Sequence, residues 1–380
     1  MYGGSKMAKE PLRFKNGKFK ILLLGDIHEK YDTSGEKDLL KIEDMQNLVG
    51  TAVTELKPDL AVYLGDNCTA DTTEEMRETI SRIVKPVVKE NVPMTFVYGN
   101  HDRECNVSLK TQTELYNEYE NSYFYNADDS ISGYGNHYLL LKSENSDKNI
   151  FNLWFIDSLS SGEIPEISYY DTVHQDQIQW YERTAQKIKE ENGELLPALL
   201  FQHIPVIEEY ELTKEAKWYH RLFSAEPQIK SHNKRYILKK GVKGYMSEAP
   251  GSPDVNSGQF ASWKKVGDII GAFFGHDHLN DFEGVVDGIY LAQNKTAGFR
   301  PYTDGGRSGV RLVTLYENDL KNFDSEMYHF KDFGLKSKSL EFYESHISDR
   351  QDFQLKVAGI ALGIIGIIGA LSGVLTWLIK

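Results

Sequence analysis

The chain has 380 residues, 40% of them hydrophobic, so it can bury the core of one large α/β domain or two ordinary ones. A net charge of -13 argues against a nucleic-acid partner, because phosphate backbones are bound mainly through clustered Lys and Arg. Two cysteines exclude a disulfide framework. Cys68 and Cys105 could form a single bridge, but free thiols are favoured because low cysteine usage fits a reducing compartment.

Short apolar runs alternate with amphipathic stretches in the first part of the chain. Residues 19–24, 60–64 and 94–98 are predicted to be strands, each followed by a polar cluster. Between the first two, apolar residues recur at steps of three and four, which predicts a helix with one buried face. These residues are Ile42, Met45, Val49, Ala52 and Leu56.

The pattern continues and then breaks. Strands are predicted over 150–156 and 198–201, with a helix from Ile178 to Ile188 between them. Residues 207–259 are polar and aromatic without a sustained period, so this insertion is either a lid or a disordered loop, and we favour a lid. Closing strands are predicted at 269–274, 289–292 and 310–316. The alternation predicts a layered α/β architecture.

The C-terminal part differs sharply in composition. Residues 331–356 are charged and form a connector, whereas 357–379 is an uncharged run long enough to span a hydrocarbon core of about 30 Å. A buried core helix is the alternative, but this run is apolar on all sides. We therefore predict a single-pass C-terminal membrane anchor. Basic residues before the span place the preceding chain in the cytoplasm.

Five polar clusters stand at the carboxyl ends of apolar runs. Each is weak alone, because a Gly-Asp pair is often a turn and a lone His is often a core or surface residue. In an open α/β sheet, however, strand ends of this kind meet at one crevice. The clusters are Gly25-Asp26-Ile27-His28, Gly65-Asp66-Asn67, Gly99-Asn100-His101-Asp102, Gln202-His203 and Gly275-His276-Asp277-His278.

The residue types in these clusters indicate a metal site. Carboxylates, a neutral Asn oxygen and imidazoles suit Mn, Fe or Zn, and no thiolate is needed. His276 and His278 lie two apart on an extended segment and so point to the same face. A metal ion would give an acidic protein the local positive charge that a phosphorylated substrate requires.

In their order and spacing these motifs resemble the calcineurin-like metallophosphoesterases, whose pattern is D-x-H, GD, GNH(D/E), H and GHxH. The resemblance runs from residue 19 to about 316. Residues 154–158, 202–205 and 256–282 are most similar to the purple-acid-phosphatase-related branch of plant and fungal proteins. Thr69 stands where true purple acid phosphatases carry a tyrosine, and His28 supplies a ligand that they lack. We therefore expect a colourless site.

The resemblance implies a four-layer α/β sandwich flanked by helices over residues 12–330. It also implies a set of seven ligands, with one divalent metal ion on Asp26, His28 and His278, a second on Asn100, His203 and His276, and Asp66 bridging them. A hydroxide between the metals would attack phosphorus. His101 would protonate the leaving oxygen, and Asp102 would either orient His101 or cap the following segment.

Other polar features have plainer interpretations. Gly135-Asn136-His137 repeats the GNH triplet but precedes an apolar run, so it is interpreted as a turn. The Gly-rich segment 305–309 could cradle phosphate, although a tight turn is favoured because no helix follows. Arg103 and Arg300 are predicted either to contact a substrate phosphate or to lie at the surface.

Three functions remain open at this stage. The leading hypothesis is hydrolysis of a phosphomonoester or phosphodiester by a membrane-tethered enzyme. A second is cleavage of a pyrophosphate bond in a nucleotide-diphosphate lipid. A third is a catalytically silent, membrane-anchored scaffold, which the complete ligand set disfavours. The sequence names neither the substrate nor the metals.

Overall fold

A computed structural model describes residues 9–161, 168–220, 229–231 and 233–379. The α-helices are α1 (Asp38–Leu56), α2 (Thr73–Lys89), α3 (Leu109–Tyr116), α4 (Gln175–Asn192), α5 (Gln259–Val266), α6 (Phe342–His346) and α7 (Asp349–Ile379). The strands are β1 (Lys18–Leu24), β2 (Glu29–Lys30), β3 (Leu60–Leu64), β4 (Cys68–Thr69), β5 (Met94–Val97), β6 (His137–Lys142), β7 (Asn149–Phe155), β8 (Ala198–Gln202), β9 (Thr213–Glu215), β10 (Ile229–Ser231), β11 (Lys234–Leu238), β12 (Ile269–Phe274), β13 (Glu283–Val286), β14 (Ile289–Gln293), β15 (Gly309–Tyr316) and β16 (Asp319–His329).

Two mixed β-sheets form the centre of the molecule. The first has the order β16-β15-β1-β3-β5, with β1, β3 and β5 parallel. The second has the order β13-β14-β12-β8-β7-β6, with β7, β8, β12 and β14 parallel. Parallel strands covered on both faces carry near-continuous apolar runs, and every residue of β3 is buried. The apolar runs of the sequence are these central strands.

Alternate residues of the central strands face different layers. Ile21 and Leu23 of β1 belong to the core between the two sheets, together with Phe201 and Phe273. Their neighbours Leu22 and Leu24 belong instead to the core under α1 and α2. A third core lies under α4 and α5 against the second sheet. The layers therefore run helix, sheet, sheet, helix, which confirms the predicted four-layer α/β sandwich.

The predicted strands and the two predicted helices are confirmed, but α2 had not been predicted. It begins with a capping box in which Thr72 and Glu75 exchange side-chain and backbone hydrogen bonds. It also contains Pro86 and many charged residues, which obscure its apolar face in the sequence. Tertiary packing on the first sheet stabilises this helix.

The insertion 207–259 begins with a 3-10 helix at Ile207–Leu212 and continues through β9, β10 and β11, which form a small separate sheet. The chain then returns toward the main body. The backbone N–H of Tyr245 donates to Asp281 Oδ1 at 2.6 Å, and the backbones of Lys243 and Glu283 form an isolated antiparallel β-bridge. A Cβ on Gly244 would lie 2.4 Å from the carbonyl oxygen of Asp281. This part of the insertion is packed closely on the segment that follows His278.

Helix α7 contains a 25-residue candidate span, Gln351–Leu375, in which an 18-residue window has a mean hydropathy of 2.3 and is not buried against the rest of the chain. By length and composition this helix can cross a membrane. The predicted span 357–379 lies within it, and the helix begins earlier, at Asp349.

Candidate metal centre

Loops at the carboxyl ends of parallel strands in both sheets bring the seven predicted ligands together. The ligands are Asp26 and His28 after β1, Asp66 after β3, Asn100 after β5, His203 after β8, and His276 and His278 after β12. All of them are buried or nearly so. The two sheets thus contribute to one centre, as the strand-end argument predicts.

One group of candidate ligands consists of Asp26, His28 and His278. Their donor atoms lie within 4.8 Å of one another. Nε2 of His28 and Nε2 of His278 are 3.1 Å apart, and Nε2 of His278 is 3.7 Å from Oδ1 of Asp26. Nitrogen atoms that converge in this way can bind one cation.

A second group consists of Asp66, His203 and His276, again within 4.8 Å. Nε2 of His203 lies 3.2 Å from Oδ1 of Asn100, so Asn100 adjoins this group. Oδ2 of Asp66 is 3.1 Å from Nε2 of His203 and 3.4 Å from Nε2 of His28. Asp66 therefore lies between the two groups, at the position expected of a bridging carboxylate.

Hydrogen bonds to the backbone fix which atom each ligand presents. Nδ1 of His203 donates to the carbonyl oxygen of Leu64 at 2.8 Å, and Nδ1 of His278 donates to that of Tyr302 at 3.1 Å. Oδ1 of Asp66 accepts the N–H of His101 at 2.8 Å. The remaining atoms, Nε2 of His203 and His278 and Oδ2 of Asp66, face the centre, and His276 turns its Nδ1 toward Nε2 of His203 at 3.3 Å. Partners of this kind orient metal ligands and set the His tautomer.

Four of the seven side chains stand on a left-handed backbone, with φ of 52° at Asp26, 49° at His28, 50° at Asp66 and 77° at His276. Each such residue costs on the order of 1–3 kcal/mol and persists only where the surroundings enforce it. Gly99 is required for the same packing, because a Cβ there would lie 2.2 Å from Oδ1 of Asp66. Strain at ligand positions is typical of a functional site.

Burial controls the protonation of the imidazoles. It lowers the pKa of His28 to about 3 and that of His278 to about 4, so both rings are neutral, as metal ligation requires. Burial also acts to lower the pKa of His203, but the adjacent Asp66 carboxylate outweighs it and raises that pKa to about 9. A cation bound to His203 would displace this proton. The oxygen and imidazole donors fit Mn, Fe or Zn.

The structure separates the expected roles of His101 and Asp102. The His101 ring lies in the cavity beside His28, and its Nδ1 is 2.6 Å from Oε2 of Glu104. The buried Asp102 carboxylate instead accepts backbone N–H groups from Gly99, at 2.8 Å, and from Asn67, at 2.8 Å. Asp102 was predicted either to orient His101 or to cap the following segment, and its carboxylate contacts instead join the loops that carry Asp66 and Asn100.

A cavity of about 600 Å³ opens over the centre and is lined by four of the seven side chains, His28, Asp66, His276 and His278. Its wall also includes residues that sequence reasoning missed. The Tyr302 ring stacks on His278 at 4.1 Å, and the Tyr170 ring meets His276 edge-on at 4.5 Å. The Tyr302 hydroxyl donates to Glu248 Oε2 at 2.9 Å. No local motif marked these residues; only the spacing of Glu104 from His101 was a possible signal.

The other polar features lie outside the centre. His137 is buried in β6, 2.8 Å from Thr95 Oγ1, and stacks on Phe155, so the second GNH triplet supplies no ligand. Arg103 pairs with Asp157, and Arg300 pairs with Glu29 and Asp38. The two cysteines are both free thiols.

Comparison with known proteins gives matches across most of the chain. The family profile for calcineurin-like phosphoesterases matches residues 19–280. A probable inactive purple acid phosphatase 29 of Arabidopsis thaliana is 26% identical over 340 residues, covering 81% of this chain and 80% of that protein. Phosphatase DCR2 of Saccharomyces cerevisiae is 25% identical over 282 residues, covering 70% of this chain but 45% of the yeast protein. A dimetal phosphatase from Danio rerio has a TM-score of 0.48 at 11% identity, covering 82% and 99% of the two chains.

Proposed function

Because the chain belongs to the calcineurin-like phosphoesterase family, we propose that it is a membrane-tethered enzyme that hydrolyses a phosphoester with two divalent metal ions. One observation carries the proposal: two groups of His and Asp donors lie side by side with the Asp66 carboxylate between them. A protein that only binds a partner gains nothing from seven convergent ligands, four of them on strained backbone.

Each residue of the centre has an assigned position in this proposal. Asp26, His28 and His278 would hold one ion, Asn100, His203 and His276 the other, and Asp66 both. When bound, the ions would polarise phosphoryl oxygens and lower the pKa of water, so that hydroxide is available as a nucleophile near neutral pH.

His101 is the proposed proton donor to the leaving oxygen. Its side chain is 44% exposed, at the edge of the cavity, and Glu104 holds its Nδ1 so that Nε2 is left to face the substrate. Tyr170 and Tyr302 pack against the rings of His276 and His278 and would keep those ligands in place.

The proposed domain layout follows from the same features. Residues 12–330 would form the catalytic domain, 331–356 the connector and 357–379 the membrane span. Glu248, Ala249 and Gly251 of the insertion 207–259 line the metal cavity, which supports the assignment of this insertion as a cover over the site. The basic residues before the span support a cytoplasmic catalytic domain.

A catalytically silent scaffold is the second candidate, and the word "inactive" in the name of the Arabidopsis relative favours it. Elemental analysis combined with a panel of phosphomonoesters, phosphodiesters and pyrophosphates separates the candidates. We expect metal in the purified chain and turnover of one substrate class. Pyrophosphate turnover alone would support the diphosphate-lipid alternative.

Ligand variants test the assignment directly. Asp66→Asn, Asn100→Ala and His203→Ala should each lose metal and at least about 100-fold in turnover. His346→Ala, which removes an exposed imidazole outside the site, should behave as the parent. A folded, metal-free parent without turnover on the whole panel would establish the scaffold, and full activity in any ligand variant would refute the proposed centre.

A further inference from the structure

The chain between the catalytic body and α7 is fixed to that body. Asp44 of α1 is fully buried, and its carboxylate accepts hydrogen bonds from Ser337 Oγ at 2.6 Å, the Lys338 N–H at 3.0 Å and Ser339 Oγ at 2.6 Å. A buried carboxylate is stable only with such a set of donors. Leu340 also packs on the core beneath α1 and α2. This clamp attaches the connector to the catalytic body.

Helix α6, immediately before α7, is held just as closely. It packs on the turn at Gly305 and Gly306. A Cβ on Gly305 would lie 1.9 Å from the carbonyl oxygen of Glu344, and a Cβ on Gly306 would lie 2.9 Å from that of Ser345. Gly305 also has φ of 55°, a conformation that favours glycine. The start of α7 at Asp349 thus follows a helix that is seated on this turn.

The same turn adjoins the metal centre. Three residues before Gly305, Tyr302 accepts the Nδ1–H of His278 through its carbonyl and stacks its ring on that imidazole. Asp304 pairs with Lys295 at 3.0 Å, and Lys295 also donates to the carbonyl oxygen of Leu279. A segment of five residues, 302–306, therefore contacts both a candidate metal ligand and the end of the connector.

A second cavity, of about 530 Å³, lies along this segment. It shares Pro301 and Tyr302 with the metal cavity and extends to Ile347, just before α7, and to Asp352, in the first turn of α7. Its wall combines apolar side chains, among them Phe299, Leu340 and Tyr343, with charged side chains of both signs. The charged residues are Lys37, Lys41, Asp304, Glu341, Glu344 and Asp352, and Lys37 pairs with Glu341.

This mixture suits the region of a lipid between the phosphate and the acyl chains. The uncharged run of α7 begins at Val357, five residues or about 8 Å of helix after Asp352. A membrane-inserted α7 would therefore put the Asp352 end of the cavity at the bilayer surface. Phe342 is 78% exposed and Tyr343 is 52% exposed just before α7, as aromatic residues at a membrane interface commonly are.

We propose that this second cavity is a binding site for the glycerol portion of a phosphorylated membrane lipid whose phosphate lies among the metal ligands. The inference rests on the proposed function, since it names the substrate class of the same site. Because the connector is fixed to the catalytic body, the active site stays close to the bilayer surface. A substrate that resides in the same membrane can reach it, with its headgroup passing Tyr302.

The test uses the full chain in phosphatidylcholine vesicles that contain a phosphatidic acid analogue with a diazirine close to its glycerol. After illumination, mass spectrometry maps the labelled peptides. We expect labelling within 299–304 and 340–347. Ile347→Glu, which places a charge in the cavity wall, should reduce this labelling about tenfold, whereas Leu39→Glu should not, because Leu39 is 66% exposed on α1 outside the cavity wall.

Labelling confined to α7, or unaffected by Ile347→Glu, would overturn the proposal. Hydrolysis of soluble p-nitrophenyl phosphate, measured on the same samples, tests the phosphoesterase proposal separately from the lipid-binding proposal. Soluble turnover without cavity labelling would leave the phosphoesterase standing and refute the lipid site. If Ile347→Glu abolishes the cavity labelling and the parent chain hydrolyses neither p-nitrophenyl phosphate nor the phosphatidic acid analogue, the lipid site is supported and the catalytic proposal is refuted.

Discussion

Replacing Lys295 by Met tests how a buried ion pair supports the metal centre. The Lys295 side chain is fully buried, 3.0 Å from Asp304 and 3.8 Å from Asp281. Breaking a buried pair by removing one partner costs about 3–5 kcal/mol, because the other charge stays buried. Arg307 lies 3.2 Å from each carboxylate and retains part of the neutralisation, so we expect the low end, about 3 kcal/mol.

The assay is thermal unfolding of the metal-loaded chain together with its metal content. At about 2 °C per kcal/mol for a domain of this size, the midpoint should fall by roughly 6 °C. Lys264→Met, at an exposed pair with Asp287, serves as the matched control and should cause no measurable change.

A double variant checks the mechanism. Lys295→Met with Asp304→Leu removes both charges, so it should recover at least about 1 kcal/mol relative to Lys295→Met alone. The reasoning is refuted if Lys295→Met has the same unfolding midpoint as the parent, or if adding Asp304→Leu lowers the midpoint further.

Three further predictions follow from individual sites. Burial raises the pKa of Glu209 from 4.5 to about 8, so between these pH values the folded chain keeps a proton that the unfolded chain loses. As the pH rises from 4.5 to 8, the free energy of unfolding should therefore fall by up to about 1.4 kcal/mol per pH unit. Chemical denaturation of Glu209→Gln at a series of pH values should lack this slope. Gly305→Ala should detach α6 and accelerate tryptic cleavage after Lys336 or Lys338, whereas Gly288→Ala, also at positive φ but with open space around it, should not. A chelator should lower the thermal midpoint of the parent but not of Asp66→Asn, because an ion that binds only the folded chain stabilises it by mass action; equal shifts in both would contradict the bridging role.

The sequence predicted the central strands because fully buried parallel strands are apolar on both faces. It also identified Asp26, Asp66 and Asn100 as candidate ligands because each follows directly on such a run. It did not identify Glu104 as the partner of His101, and it left Asp102 with two possible roles, orienting His101 or capping the following segment. Both side chains lie in one short loop, and only the folded loop decides that Asp102 turns inward while Glu104 turns toward the cavity.

The order of apolar runs and polar clusters predicted the layered fold, the meeting of the five clusters and an apolar C-terminal helix, because these depend on local periodicity and on the rule that strand ends converge. The set of seven candidate ligands came from the resemblance of those clusters to a known family. The left-handed backbone at the candidate ligands, the position of Glu248 in the cavity wall and the attachment of residues 337–339 to Asp44 were decided by the tertiary structure. These features join residues that are far apart in the chain, and the free energy that holds them comes from packing and hydrogen bonds that exist only once both sheets have assembled.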